Sequence, residues 1–473
     1  MDVLSALDAE FLHAEDDVTP LHIGGVATFP GPAPSYDEFV ECLDRRLHRI
    51  PRYRQRVETV PLELGRPIWV DHEGFSCRFH VRHTALPTPG DDDALNRLVG
   101  RLMEHRLDRS RPLWEIWMVE GLTDDRWALV FKVHHCMVDG VAGVGLLAAV
   151  LDIEEDPAPT EREPWDPEPP PSLASRIAGA WAGALSGVAD LVREVPGALA
   201  HPADTGRAFA GSVRALLGFG HHIAPTPHSS LDGPIGRHRA YAHSTITIAD
   251  IKRVRTGLGG TLNDVVLACI TRGFRDLLEA HGDDPSAAVV RTGVPVSVRR
   301  DDGVGVADNR VSIMLVELPV HLEDPVERLA AVREAMEEAK ASGMAELGEA
   351  VTHLADLAPP MVVGTVTRAG ARAFHHLPQR SITTVTTNVP GPQFPLYCHG
   401  RKMQAYLPYV PIADGARVGV AILSYDGDIS FGVTGDLDSV PDVDVLARGA
   451  AAGLAELLAA ADDGAAPDQE PTP

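Results

Sequence analysis

Basic side chains, cysteines and long apolar runs are all scarce in this chain. Lysine and arginine number 42 against 67 aspartates and glutamates in 473 residues, a formal charge of −25. Non-specific nucleic-acid binding, which needs clustered positive charge to displace counterions from phosphates, is therefore disfavoured. Cys42, Cys77, Cys136, Cys269 and Cys398 stand far apart with no CxxC pair. That spacing offers no disulfide framework and no thiolate zinc site, and it fits a reducing compartment. No stretch reaches the roughly 18 to 20 apolar residues of a membrane-spanning helix. The nearest, Ile177 to Ala189, is short and rich in glycine and alanine. The opening MDVLSALDAEFLHAEDD is acidic and lacks the basic, then apolar pattern of a secretory signal. A cytoplasmic protein is expected, soluble or resting on a membrane surface.

What is present is an ordinary globular composition, with 44% apolar residues. The length allows several domains and a large core. Mixed periodicities point to an α/β fold. Ser35 to His48 has helical apolar spacing with Ser35 as N-cap, and Asp93 to Leu107 is a second amphipathic helix. Arg126 to Val133 is an apolar strand, followed after a turn by the small-residue helix VAGVGLLAAVLD.

Glu154 to Pro171 is acidic and proline-rich, the signature of an extended, solvated linker. Ser172 to Leu217 holds apolar helices. From Arg237 strands are expected near 241–246, 288–298, 382–387, 418–424 and 429–433. Helices are expected at 262–280, 325–340, 345–357 and 442–461. The organisation expected is an N-terminal lobe over 1–153, a crossover over 154–235, a C-terminal lobe over 236–463 and an unpacked tail over 464–473.

Histidine pairs occur at His134-His135, His221-His222 and His375-His376, and with 21 histidines a pair alone carries no information. Only the first continues into Cys136-Met137-Val138-Asp139-Gly140. It ends an apolar strand and precedes a small-residue helix, which aims side chains into a cavity at the strand's end. Imidazole, with a pKa of about 6.5, is mostly neutral yet proton-accepting at cellular pH. Asp139 can orient a histidine directly or pin the loop through an arginine, and Gly140 turns the backbone without a Cβ penalty. Other readings remain open: a capped turn with surface histidines, or a metal site of two histidines and Asp139. Adjacent strand residues point to opposite faces, which weakens the metal reading. A serine hydrolase is weaker still, for want of a G-x-S-x-G elbow.

HHxxxDG is the signature of the CoA-dependent acyltransferase superfamily, and the wider sequence resembles bacterial wax ester synthase/diacylglycerol acyltransferases. The resemblance runs through LSALDAEFLHAED, TPLHIGG, RIPRYRQR from Arg49, Pro112-Leu113-Trp114, SLDGPIGRHR from Ser230, Leu262-Asn263-Asp264-Val265 and Thr387-Asn388-Val389-Pro390-Gly391-Pro392. Asp232 stands where asparagine is more usual, and Thr387 where serine is.

The resemblance implies two chloramphenicol-acetyltransferase-like lobes with a channel between them. It implies His135 as general base, His134 as support, and Asp139 paired with Arg299, with Arg300 the neighbouring alternative. Acyl transfer would run directly from acyl-CoA to a diacylglycerol or fatty-alcohol hydroxyl, with no cofactor and no metal. Cys136 is expected to pack rather than react. Thr387 and Asn388 are placed as oxyanion donors or channel wall. Asn263 and Asp264 are weighed equally as helix caps or site support. Lys252, Arg253 and Arg255 form the best cluster for CoA phosphates, against an ordinary solvated helix face. The helices of 172–217 serve either as an interlobe lid or as a peripheral contact with a membrane or lipid droplet. A relative using another hydroxyl acceptor, or an inactive lipid-binding protein on the same fold, are the alternatives.

Overall fold

The computed structural model describes residues 2–60, 65–137, 143–172, 174–176, 226–297, 311–341 and 382–464. Eleven strands build its two main sheets: β1 (His22–Pro30), β2 (Val81–Ala85), β3 (Trp114–Leu122), β4 (Arg126–His134), β5 (Arg239–Thr247), β6 (Val290–Ser297), β7 (Val311–Leu318), β8 (Thr384–Val389), β9 (Ala405–Tyr409), β10 (Val418–Tyr425) and β11 (Asp428–Asp436). The main helices are α1 (Ala6–Ala14), α2 (Tyr36–Arg46), α3 (Asp92–Met103), α4 (Gly143–Val150), α5 (Ile248–Leu258), α6 (Leu262–Ala280), α7 (Pro325–Ala341) and α8 (Val443–Gly464).

The first sheet has the order β9-β1-β4-β3-β2. Its second-ranked position from the β9 edge belongs to β1, whose Gly24 lies so close to β4 that a Cβ there would sit 1.9 Å from the Phe131 carbonyl oxygen. Only glycine permits that approach. β4 is central and buried from Trp127 to His134, which is why its sequence reads as an apolar run. On one side α2 begins with a capping box, Ser35 and Glu38 each satisfying the other's backbone N–H, and buries Phe39, Val40 and Leu43.

α3 ends at Met103, short of the expected Leu107. The buried Lys132 ammonium explains the early stop. It donates to the Leu102 carbonyl at 2.7 Å and also to that of His105, taking over acceptors at the helix end.

The second sheet runs β7-β6-β8-β10-β11-β5, with β8 parallel to both neighbours and the other pairs antiparallel. Its core gathers Val265, Phe274, Val420, Phe431, Leu446 and Leu457 beneath α6 and α8. Those helices approach closely at Gly273, where a Cβ would lie 2.4 Å from the Leu446 carbonyl oxygen.

The two lobes are joined by β9, which leaves the second half of the chain to complete the first sheet, pairing Ala405 with Thr28 and Tyr409 with Gly24. Its other side meets the second sheet: Tyr241 Oη donates to the Pro408 carbonyl at 2.9 Å, and a Cβ on Gly432 would fall 1.7 Å from the same oxygen. α3 also docks on β5, where His243 Nδ1 lies 2.9 Å from Asn96 Oδ1 and His238 Nδ1 3.1 Å from Glu104.

Residues 157–172 carry no helix or strand and are mostly exposed, as their composition predicts. They are nevertheless pinned along the first lobe. Arg162 pairs with Asp44 at 2.5 Å, Arg49 donates to Thr160 at 3.0 Å, and Trp165 meets Phe75 edge-on at 6.0 Å. The helix expected over 345–357, the tail beyond 464 and nearly all of the apolar helices of 172–217 lie outside the described residues.

Candidate active site

β4 delivers both histidines. His134 is its last residue, directly across from His22 of β1, and His135 opens a short 3₁₀ turn, His135–Met137. Main-chain bonds from both neighbours fix this corner. The His134 N–H donates to Leu113 O and the His135 N–H to Leu21 O, each at 2.9 Å. Pro112-Leu113-Trp114 thus supports the site through its backbone. Trp114 is itself fully buried, donating from Nε1 to Tyr53 O at 2.8 Å and stacking on His80 at 4.6 Å. That bond ties the Pro-Leu-Trp motif to the RIPRYRQR segment.

The two imidazoles have different surroundings. His134 is fully buried, and its Nδ1 accepts the Cys136 N–H at 3.1 Å. Its Nε2 faces Glu15 Oε1 at 3.6 Å. His135 is half-buried and lies under the Phe11 ring, centroids 3.8 Å apart and planes 25° apart. Its Nδ1 is buried with no hydrogen-bond partner among the described residues. Burial, reinforced by His134 and only partly offset by a main-chain contact, pushes the His135 pKa down to about 4. The ring is therefore neutral near pH 7, with a lone pair available to a proton. Cys136 is buried, and burial raises its thiol pKa far above the usual range, which suits packing and not nucleophilic attack.

Five charged or polar groups that no motif singled out for a role complete this corner. Glu15, 1% exposed at the end of α1, pairs with Arg109 at 2.7 Å and Arg106 at 3.4 Å. Burial would raise its carboxyl, but His134, Arg109 and His22 outweigh burial and hold it well below the usual carboxylate range. His22 Nε2 lies 3.0 Å from His105 O, and Lys132 sits beneath with its pKa lowered by burial to about 8. Glu15 and His22 do fall inside the segments LSALDAEFLHAED and TPLHIGG that carry the family resemblance. Arg109 and Lys132 have no local signal.

Asp139, Gly140 and Arg299, with Arg300, lie outside the described residues, so their pairing stays an expectation. Asn263 and Asn388, 125 residues apart, are brought together: Asn388 Nδ2 donates to Asn263 Oδ1 at 3.1 Å. Asp264 is the inner partner of a capping box on Thr261, accepting the Thr261 N–H at 2.7 Å, so its local role is helix capping. Thr387 is half-buried on β8 beside Asn388, which is exposed. Lys252, Arg253 and Arg255 line the exposed side of α5. Arg253 there is bound to Asp462 at 2.9 Å, and Arg255 donates to Gly260 O at 3.2 Å. Asp232, the departure from asparagine, is buried and accepts both the backbone N–H and the hydroxyl of Ser229, at 3.0 and 2.9 Å. Among the described residues no group of three histidine, cysteine or acidic side chains is arranged to hold a metal, and no helix is long and apolar enough to cross a membrane.

Comparison with known proteins identifies the family. Residues 4–266 match the wax ester synthase/diacylglycerol acyltransferase catalytic domain, and residues 307–458 match the C-terminal domain of the same family. The chain is 40% identical over 465 residues to a probable diacylglycerol O-acyltransferase of Mycobacterium tuberculosis, covering 97% of this chain and 96% of that protein. The fold superposes on the wax ester synthase/diacylglycerol acyltransferase of Marinobacter aquaeolei VT8 with a TM-score of 0.69 and 26% identity, covering 97% of this chain and all of that one. The first condensation domain of the calcium-dependent antibiotic synthetase shares the fold at a TM-score of 0.56 and 15% identity, over 98% of this chain and 97% of that one. A buried histidine corner, a shared two-lobe fold and matches over nearly the whole length lead to one conclusion: this chain belongs to the wax ester synthase/diacylglycerol acyltransferase family.

Proposed function

We propose that this protein is an O-acyltransferase that moves a long-chain acyl group from acyl-CoA to a lipid hydroxyl, forming triacylglycerol or a wax ester, with His135 as the general base. The observation that carries the reading is the His135 ring: neutral, half-open, stacked under Phe11 and held by its backbone at the end of a rigid central strand. Family membership narrows the chemistry to acyl transfer.

In this mechanism the acceptor oxygen attacks the thioester carbonyl while its proton passes to His135. Because Nδ1 is buried, Nε2 is the nitrogen assigned to that proton. The tetrahedral intermediate then collapses, the C–S bond breaks, and the proton on His135 neutralises the departing CoA thiolate. Both substrates are bound at once, so no acyl-enzyme forms, in keeping with the raised thiol pKa of Cys136. Thr387 or Asn388 is assigned to the developing oxyanion, where a preorganised donor is worth the most. The bond to Asn263 gives Asn388 a fixed orientation. The Asp139–Arg299 ion pair is proposed to hold the HHxxxDG turn rigid. Lys252 and Arg255 are the candidates for CoA phosphates, Arg253 being already engaged by Asp462. The lipid acceptor is proposed to be drawn from a membrane or droplet surface by peripheral contact.

Purified protein, labelled palmitoyl-CoA and a panel of diacylglycerols and fatty alcohols test the reading, with esters resolved by chromatography. His135→Ala is expected to abolish transfer while leaving the folded state intact; undiminished ester formation would remove His135 from the mechanism. Flotation with liposomes tests the surface contact, and a wholly soluble distribution would end that part.

A further inference from the structure

A half-open ring stacked on Phe11 needs its backbone held hard if it is to meet a substrate in one geometry, and the buried carboxylate at the end of α1 does that from two directions. Glu15 Oε1 accepts the Leu21 N–H at 3.3 Å, and the Leu21 carbonyl in turn accepts the His135 N–H at 2.9 Å. The same Oε1 faces His134 Nε2 at 3.6 Å, while His134 Nδ1 accepts the Cys136 N–H at 3.1 Å. The peptide before the His135 Cα is thus bonded to a residue that Glu15 holds by a hydrogen bond, and the peptide after it to a ring that Glu15 faces at ion-pair distance. The second oxygen, Oε2, is clamped by Arg109 through Nη2 at 2.7 Å and Nε at 3.2 Å. Arg109 also reaches back to the Leu12 carbonyl of α1 at 2.8 Å, so the helix bearing Phe11 belongs to the same assembly.

We propose that Glu15 is the positioning residue of the active site: its carboxylate fixes His134 in the Nε2–H tautomer and holds the turn on which His135 is presented. The tautomer follows from the bonds. A nitrogen accepting the Cys136 N–H must carry a lone pair, so the neutral ring has its proton on Nε2, pointing at the carboxylate. An imidazolium, protonated on both nitrogens, would break the Cys136 bond and release the turn. The carboxylate stays ionised because the His134 N–H that faces it and the Arg109 guanidinium overcome its burial. Glu15 touches neither substrate, and its effect is on the rate of the step and not on substrate binding. The inference rests on the reading of His135 as the base, yet the His134 tautomer can be observed without any turnover.

Glu15→Gln keeps the side-chain size and an oxygen for Leu21 but removes the charge. Arg109 and Arg106, 38% and 35% exposed, can turn to water in response. The expected result is a fall in kcat of about tenfold to a hundredfold, the scale of a small misplacement of a reacting group. KM for acyl-CoA should stay within about twofold, because the change lies in the presentation of the base and not in uniform binding. An unchanged kcat, or a loss expressed wholly in KM, would overturn the proposal. The wild-type protein supplies an independent readout should that variant fail to fold. Nitrogen-15 histidine spectra should show His134 neutral, protonated at Nε2, with a coupling across the hydrogen bond from the Cys136 amide to Nδ1. A His134 protonated at Nδ1 would overturn the proposal whatever the variant does. If His135→Ala kept full activity while this tautomer was present, the base assignment alone would fall.

Discussion

Lys132→Met asks whether a buried ammonium supports this fold through charge or in spite of it. Lys132 is 2% exposed, and burial lowers its pKa from 10.5 to about 8, against the opposing pull of Glu115, Glu15 and Glu104. That gap corresponds to about 3 kcal/mol of unfavourable free energy for keeping the side chain charged in the folded state at neutral pH. Methionine removes that penalty but leaves the Leu102 carbonyl without its donor, a loss of about 1 to 3 kcal/mol. The His105 carbonyl retains a partner in His22 Nε2 at 3.0 Å. The two effects nearly cancel, so at pH 7 the variant should differ from wild type by less than about 2 kcal/mol.

The pH dependence separates them. Below pH 8 the lysine is charged in both folded and unfolded states. Between about 8 and 10.5 the unfolded chain still holds the proton that the folded protein has released, so wild-type stability rises with pH through that window. Methionine cannot show the rise. Denaturant titrations of both proteins across pH 7 to 10.5 should reveal a difference that shifts by about 3 kcal/mol in favour of wild type. Other titrating groups cancel in the comparison. A difference that stays flat across that range would refute the placement of a strained, buried ammonium beneath the histidine corner.

Other expectations follow from single contacts. Gly24→Ala should part β1 from β4, since the new Cβ would meet the Phe131 carbonyl oxygen at 1.9 Å, and should lower both the thermal midpoint and ester formation. Trp114→Phe strands the Tyr53 carbonyl that now accepts from Nε1 at 2.8 Å, a cost of about 1 to 3 kcal/mol measurable by denaturant unfolding. Replacing Asn263 and Asn388 by alanine, singly and together, should show a coupling of about 0.5 to 1.5 kcal/mol in a double-mutant cycle on kcat, and strict additivity would dissociate that pair from the site.

The legible parts of this protein are those whose causes are local. The α2 helix is legible from Ser35 and its apolar spacing, and the helix expected over 262–280 is α6, Leu262–Ala280. β4 announced itself because both of its faces are buried, leaving one apolar run from Trp127. Neighbouring β1 carries no strand pattern of its own, since Gly24 and Gly25 interrupt any alternation and its pairing is dictated by how closely β4 and β9 approach. The stop of α3 at Met103 depends on Lys132, 29 positions further along, and no helix-end signal in its own sequence conveys it.

The same division runs through the site. His134-His135 and the Asp139-Gly140 that follow are adjacent along the chain, so the sequence by itself determined the family and pointed to one imidazole as the proposed base. It also placed Asn263 and Asn388 in separate motifs without revealing that they touch. Tertiary structure alone decided that Glu15, at the end of the first helix, meets His134 and Arg109, and that β9 crosses to finish the first lobe's sheet. The physical reason is one of range. Capping and periodicity act within a few residues, whereas a buried charge takes its partners from whatever part of the chain folding brings within a few ångströms.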